Sequence, residues 1–161
     1  MRNPATVLAD WYDGEIGGEA LFWRLAERGA ADVASKWLAL AAIEGHVASQ
    51  LLAAILSHDF PVPDTDGTLA DARERADRVA AGDWQAAMRW LRTIAAEALA
   101  EMSLEAAQLP DDLAALGALV VRHEQVLVEF AELELAARSA ASLEPVNALL
   151  VTLRGHGAGA S

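Results

Sequence analysis

The chain has 161 residues, contains no cysteine and carries a formal net charge of −12 at pH 7. The negative charge disfavours nucleic-acid binding, which needs clustered lysine and arginine, and the lack of cysteine excludes disulfides, thiolate zinc sites and iron–sulfur clusters. Its length suits one domain, and its abundant alanine, leucine, glutamate and arginine favour helices over sheet. We therefore expect an all-α protein.

Four long helices are predicted in chain order. They cover residues 4–28, 32–57, 83–109 and 111–139. Asp83 and the Asp111–Asp112 pair are of the residue type favoured at helix N-termini, while Gly29 and Pro110 are typical of the positions just after a helix. Helices of such similar length are expected to pack side by side as a bundle.

The connection between the second and third helices is the long one. It spans residues 58–82 and includes a short surface helix in LADARERADRVAAG. A crossover of this kind is found in ferritin-like bundles. A short helix begun by Pro145 is expected at the bundle end, so that residues 1–154 form one domain and residues 155–161 a flexible tail. Since neither a signal core nor an uncharged membrane-length run is present, we predict no membrane contact and a cytoplasmic location.

Polar side chains interrupt the apolar stripes of the long helices. Because a helix turns about 100° per residue, Glu15, Glu44 and His123 fall within the stripes of the first, second and fourth helices. The third helix offers Glu101 at the edge of its stripe, or else Glu97, which points further out. Each lies near the midpoint of its helix, and midpoints of antiparallel helices meet at one level. Buried carboxylates need protons, counter-charges or a metal, so this convergence predicts a site.

Three short motifs resemble the ferritin-like superfamily, and its rubrerythrin-type members most closely. EIGGEALFWRLA supplies a first-helix glutamate with an aromatic residue seven positions later, and LALAAIEGHVASQLL supplies a second glutamate. RHEQVLVEFA supplies a histidine followed by glutamate and a Phe–Ala pair. The residues that carry the likeness are Glu15, Phe22, Leu25, Ala26, Glu44, His123, Glu124, Phe130 and Ala131.

The resemblance implies a four-helix bundle with an oxidoreductase-type site for iron or manganese. Family members bind two such ions through a glutamate from each of two helices and Glu-x-x-His from each of the other two. The implied metal ligands are Glu15, Glu44, Glu101 and His123, and the implied supporting residues are Tyr12, Glu19 and Glu124. Val47 and Val120 occupy two of the family's ligand positions, so the retained residues are expected to hold one ion better than two.

Two alternatives stay open from the residues alone. In one, the inward glutamates and His123 form a metal-free polar cluster, and the bundle is a non-enzymatic module for dimerisation or for ligand or protein binding. The 54% apolar content favours a homodimer, because it exceeds what one narrow core stripe needs. In the other, a small-molecule pocket lies between helices, lined by Trp11, Phe22 and Met102 with Glu15 as its polar anchor.

Overall fold

The computed structural model describes residues 2–157, and within them the chain forms α-helices and no strand. The helices are α1 (Pro4–Arg28), α2 (Ala31–Ser57), α3 (Asp66–Ala80), α4 (Trp84–Ala106), α5 (Ala114–Leu135) and α6 (Glu144–Gly157). A 3-10 turn at Asp111–Leu113 precedes α5. The four long helices predicted from the sequence correspond to α1, α2, α4 and α5. The predicted all-α class is confirmed.

Side-chain caps fix where two of the long helices begin. Asn3 precedes Pro4, and its side chain accepts a hydrogen bond from the backbone N–H of Ala5 at 3.0 Å. Asp83 accepts from the backbone N–H of Ala86 at 2.7 Å, which confirms it as the cap of α4. Such caps satisfy backbone donors that lack a partner within the helix.

The long helices pack as two antiparallel hairpins. α1 and α2 are joined by two residues, and the rings of Phe22 and Trp37 stack across them with centroids 5.5 Å apart. In the second hairpin, Trp84 near the start of α4 donates to Glu134 near the end of α5 at 2.9 Å. Ala106, at the other end of α4, lies beside Gly117 near the start of α5. Each hairpin therefore aligns the middle of one helix with the middle of its neighbour.

Helix α3, in the connection between α2 and α4, packs along α1. Thr68 donates to both carboxylate oxygens of Asp13, at 2.6 and 2.7 Å. A β-carbon at Gly17 would lie 2.9 Å from Thr68 Cγ2, so this glycine permits the close approach. Ala72 and Ala76 of α3 are buried. The predicted surface helix is thus present, and one of its faces belongs to the core.

The C-terminal helix α6 covers α2 and α5. Val146, Leu149, Leu150 and Leu153 are buried and join a hydrophobic cluster to which all six helices contribute. α6 continues to Gly157, so the predicted flexible tail begins inside a helix. The remaining tail positions, 158–161, lie outside the described residues.

Length and composition alone would allow α2 to cross a membrane, since its apolar window has a mean hydropathy of 1.5. It is the single helix with this property in the part of the chain that the structure describes. Core helices of soluble proteins have the same character, and α2 buries Leu40, Val47 and Leu51 against its neighbours. It also buries Glu44, so α2 carries a carboxyl group into the protein interior.

Candidate functional site

His123 is completely buried on α5 and lies between two carboxylates. Its Nδ1 is 3.3 Å from Glu15 Oε1 of α1, and its Nε2 is 3.3 Å from Glu44 Oε1 of α2. One donor atom from each of the three residues lies within 4.8 Å of the other two. The structure therefore brings together, from three different helices, the three side chains that the apolar stripes place at mid-bundle.

Three atoms of this cluster lack a hydrogen-bond partner. They are both ring nitrogens of His123 and Oε2 of Glu15, and no atom in the described part of the chain forms a hydrogen bond with them. Buried polar atoms in proteins are mostly paired, and an unsatisfied one costs about 1–3 kcal/mol. The 3.3 Å approaches bring opposite charges close without satisfying these atoms. The cluster thus has bonding capacity that the surrounding side chains do not use.

Glu124 adds a third buried carboxylate beside His123. Its Oε1 lies 3.8 Å from His123 Nδ1, too far for a hydrogen bond. The side chain is buried and makes no hydrogen bond with any residue in 2–157. Among Tyr12, Glu19 and Glu124, the residues expected to support the metal ligands, Glu124 is therefore the one that forms an ion pair with a ligand residue, His123.

Tyr12 and Glu19 take other positions. Tyr12 is half-buried and packs against the core, and Glu19 faces Gly45 of α2. Within the described chain, neither makes a hydrogen bond or ion pair with Glu15, Glu44 or His123. The expected support of the cluster by Tyr12 and Glu19 therefore stays a prediction.

The cluster is short of positive charge. Burial raises the pKa of the Glu44 carboxyl to about 8; the attraction of His123 opposes this rise and the charge of Glu15 adds to it. Burial also raises the pKa of Glu124 to about 7. For His123, burial lowers the pKa, but the carboxylates of Glu15 and Glu44 outweigh burial and hold the pKa well above 6.5. The isolated cluster therefore holds protons near neutral pH.

Two glycines make room for carboxylates where α1 and α2 meet. A β-carbon at Gly18 would lie 2.7 Å from the carboxyl carbon of Glu44, and one at Gly45 would lie 2.7 Å from Glu19 Oε1. Any side chain at either position would displace the facing carboxylate. Glycine in a helix interior costs about 1 kcal/mol relative to alanine. The glycines of EIGGE and EGH therefore indicate that α1 and α2 approach each other closely at these positions. The polar residues alone do not carry this signal.

α4 contributes no carboxylate to this cluster among the residues described, which corrects the placement of Glu101. Both Glu101 and the other candidate, Glu97, are exposed. The tightly buried face of α4 ends at Ala95, and Glu97 lies about 200° around the helix from it. Beyond Ala95 that face is only half-buried, and Ala98 and Met102 on it line a cavity. The apolar stripe of α4 continues past Ala95, but the burial of the helix does not, so the prediction that Glu101 faces inward is wrong.

A cavity of about 410 Å³ opens between α1, α3 and α4 and reaches the cluster. Glu15, Glu44 and Glu124 are all part of its lining. Phe22 and Met102 line it as the sequence suggested for a pocket. Trp11 does not; its indole N–H donates to Glu105 at 2.8 Å elsewhere in the bundle. The buried carboxylates are thus accessible to a small molecule from one side.

A fourth buried carboxylate, Glu134, lies outside the cluster and was not singled out from the sequence. It pairs with Lys36 at 2.5 Å and accepts hydrogen bonds from Trp84, Ser139 and Ser142. Burial raises its pKa, but these partners outweigh burial and lower it overall. Because its bonding capacity is met, we interpret Glu134 as a structural group that ties α2, α4 and α5 together.

The cluster at His123 has the opposite character, because three of its buried polar atoms have no hydrogen-bond partner among the described residues. Two carboxylates and an imidazole are a donor set that can hold a cation, and the cavity gives the cluster an open side. Comparison with known proteins adds no identity to this geometry: no protein-family model, curated protein or solved structure matches the chain.

Proposed function

We propose that the chain binds one divalent transition-metal ion, iron or manganese, with Glu15, Glu44 and His123 as its protein ligands. Carboxylate oxygen favours manganese and magnesium, while imidazole favours iron, zinc and copper, so the mixed set suits iron and manganese best. On this proposal the bundle is a ferritin-like protein with an oxidoreductase-type site. The short motifs around the three ligands support that relationship.

The observation that carries the proposal is the set of unpartnered atoms at the cluster. Both nitrogens of His123 and one oxygen of Glu15 are buried without a hydrogen bond among the described residues. A metal ion bound to one ring nitrogen and to both carboxylates would use this capacity. The remaining ring nitrogen would then donate to a neighbouring carboxylate, which is the usual way that a ligating histidine is oriented.

Charge supports the same assignment. Glu15, Glu44 and Glu124 bring three carboxylates to a buried histidine. Buried carboxylates are stable only when protons, partners or a metal compensate them. A divalent ion supplies that compensation without requiring the carboxyl groups to stay protonated. Val47 and Val120 are fully buried apolar residues nearby in sequence, which argues for one ion rather than two.

An iron or manganese ion held here would supply one-electron chemistry to a molecule in the adjoining cavity. The chain itself contributes the binding groups, an apolar wall that limits water, and a single open side. Three protein ligands leave coordination positions free, as in catalytic rather than structural metal sites. These features favour an enzyme over a purely structural metal site.

Metal analysis tests the proposal. Protein purified without chelators, and metal-free protein reconstituted with Mn²⁺ or with Fe²⁺ under anaerobic conditions, should hold close to one ion per chain. Glu44→Gln and His123→Ala should lower this content, whereas Glu101→Gln, which alters an exposed glutamate, should leave it unchanged. Near-zero iron, manganese and zinc in the wild-type chain after reconstitution would overturn the proposal.

A second candidate is a metal-free helical module for dimerisation or binding. Each ring nitrogen of His123 lies 3.3 Å from a different carboxylate, an arrangement that also suits a doubly paired imidazolium. Exposed apolar side chains such as Trp23, Leu56, Leu104 and Val151 would then serve a homodimer interface. Light scattering that shows a monomer at micromolar concentration would count against this candidate.

A further inference from the structure

Glu124 faces the cavity, and among the described residues it has a single ion-pair partner, His123, and no hydrogen bond. The residue is 6% exposed, and its side chain lines the cavity and makes no hydrogen bond with the described residues. Its nearest opposite charge is His123 Nδ1 at 3.8 Å. Glu134, on the same helix, is equally buried but has four partners. The environment of Glu124 is thus incomplete from the cavity side.

The walls of the cavity are mainly apolar. Their larger side chains are Leu21, Phe22, Trp90, Leu91, Ile94, Met102 and Leu127. Its volume, about 410 Å³, falls within the range of roughly 300–1,000 Å³ that small-molecule sites occupy. Trp90 is half-buried, packs against the core and lines the cavity, so part of its indole borders the space that a ligand would occupy.

The polar part of the lining is strongly acidic. Three buried glutamates are joined at the mouth by Asp13 and Asp71. The one basic residue in the described lining is Arg75, which is exposed on α3 and makes no ion pair with the described carboxylates. An anionic ligand would be repelled here, and a neutral apolar ligand would leave the buried carboxylate of Glu124 without a hydrogen bond, at a cost.

Charge balance specifies the missing group, and this step rests on the proposed function. A divalent ion at Glu15, Glu44 and a neutral His123 compensates two of the three buried carboxylates. One negative charge, that of Glu124, is left. A monovalent cation next to Glu124 would compensate it and supply the hydrogen bonds that its oxygens lack.

We propose that the cavity binds a small organic amine in its protonated form. The ammonium group donates to Glu124, and the apolar body lies against Phe22, Met102 and the indole face of Trp90. Cations near an indole face gain further electrostatic attraction. The amine thus enters beside the metal ligands without replacing any of them.

Calorimetric titration tests this proposal with three probes of similar shape: 2-phenylethylammonium, neutral 2-phenylethanol and anionic phenylacetate. Each is titrated into Mn²⁺-loaded and chelator-treated protein. We expect the ammonium probe to bind the Mn²⁺-loaded chain roughly tenfold or more tightly than the alcohol, and phenylacetate to show no binding. Equal binding of the ammonium and the alcohol would overturn the proposal, because it would show an apolar pocket with no role for Glu124.

Two variants locate the bound amine. Glu124→Gln keeps the size of the side chain and should weaken ammonium binding roughly tenfold or more, while Asp71→Asn, at the exposed mouth, should change it less than about threefold. Ala98→Trp fills the cavity from α4 and should abolish binding with Glu124 intact. Unchanged ammonium binding in either Glu124→Gln or Ala98→Trp would overturn the assignment.

Manganese binding, followed by electron paramagnetic resonance in the same samples, separates this inference from the proposed function. Mn²⁺ bound with no ammonium binding at millimolar probe overturns the amine site and leaves the metal site standing. Ammonium binding that depends on Glu124 in a chain that binds no Mn²⁺ overturns the metal site and supports the amine site alone.

Discussion

The carboxylate of Glu44 lies against the backbone of Gly18, where a β-carbon would be 2.7 Å from the carboxyl carbon. Glu44 is the α2 member of the cluster around His123, at 3.3 Å from its Nε2. Because Gly18 of α1 has no side chain, the carboxylate of Glu44 on α2 can occupy its position beside His123. A change at Gly18 acts on the site without altering any charged residue.

Gly18→Ala is expected to disable the site while leaving the fold intact. The added methyl group would push the Glu44 carboxylate away from His123, and a flexible side chain can move at small cost to stability. We expect Mn²⁺ affinity to fall by about tenfold or more, with the free energy of unfolding within about 1 kcal/mol of wild type. Isothermal titration and urea unfolding measure the two quantities.

Gly14→Ala provides the matched control, because a β-carbon at Gly14 would meet nothing within 4 Å. This change should raise the free energy of unfolding by about 1 kcal/mol through helix propensity. Metal affinity should be unaltered. If Gly18→Ala and Gly14→Ala behave alike in metal binding, Glu44 is not a ligand.

Glu15→Gln should lower Mn²⁺ affinity by about tenfold or more, because it removes an anionic donor 3.3 Å from His123 Nδ1. The metal-free fold should change little. Histidine NMR titration of metal-free protein should also show a lower pKa for His123, whose imidazolium loses a carboxylate partner. Glu101→Gln serves as the control. If neither the metal affinity nor the pKa of His123 changes, Glu15 and His123 do not interact in solution.

The stability of the metal-free chain should fall as pH rises from about 4.5 to about 8. Glu44 and Glu124 have pKa values of about 8 and about 7 in the folded chain against an ordinary 4.5. His123 likewise binds its proton more tightly than the ordinary 6.5. The folded state holds protons that the unfolded chain has already released in this window, so its advantage is lost as pH increases. Urea unfolding in the presence of chelator measures the trend.

Saturating Mn²⁺ should reverse this trend. Metal ligands bind in their deprotonated forms, so the ion competes best at the higher end of the window. The added stability should therefore grow as pH rises. A metal-free chain that becomes more stable between these pH values would contradict the proton-binding account of the cluster.

Glu134→Gln should destabilise the fold by about 2–4 kcal/mol with no effect on metal binding. The change leaves the ammonium of Lys36, itself largely buried, without its carboxylate. Because Glu134 has a lowered pKa, its contribution is present above the ordinary value of 4.5 and is lost as pH falls below it. The variant should therefore show weaker acid sensitivity in thermal unfolding. Glu129→Gln, at a half-exposed ion pair with Arg122, should cost under about 1 kcal/mol.

The sequence was sufficient to predict the helices and the meeting of three polar side chains. Glu15, Glu44 and His123 each interrupt a strong apolar stripe near the middle of a long helix, and short connections align those middles. Direction and depth along a helix are both readable from residue spacing. The cluster was predictable because Glu15, Glu44 and His123 both face the apolar stripe and lie at the same depth along their helices.

Features that depend on how helices sit against each other were not predictable in this way. Glu101 is exposed because the packed face of α4 ends earlier than its apolar stripe, beside a cavity that α3 helps to enclose. Glu134 lies near the end of α5, where its partners come from three other parts of the chain. Spacing within one helix contains no information on either relationship.

The reciprocal contacts of Gly18 with Glu44 and of Gly45 with Glu19 also fix the sliding position of α1 against α2. A slip by one helical turn, about 5.4 Å, would bring Glu44 opposite Gly14 in one direction or Phe22 in the other. Glu19 would then face Ala41 or Ser49, neither of which leaves the space of a glycine. Both carboxylates fit at one alignment only. The glycine–carboxylate pairs beside the site thus also select a single alignment of α1 against α2.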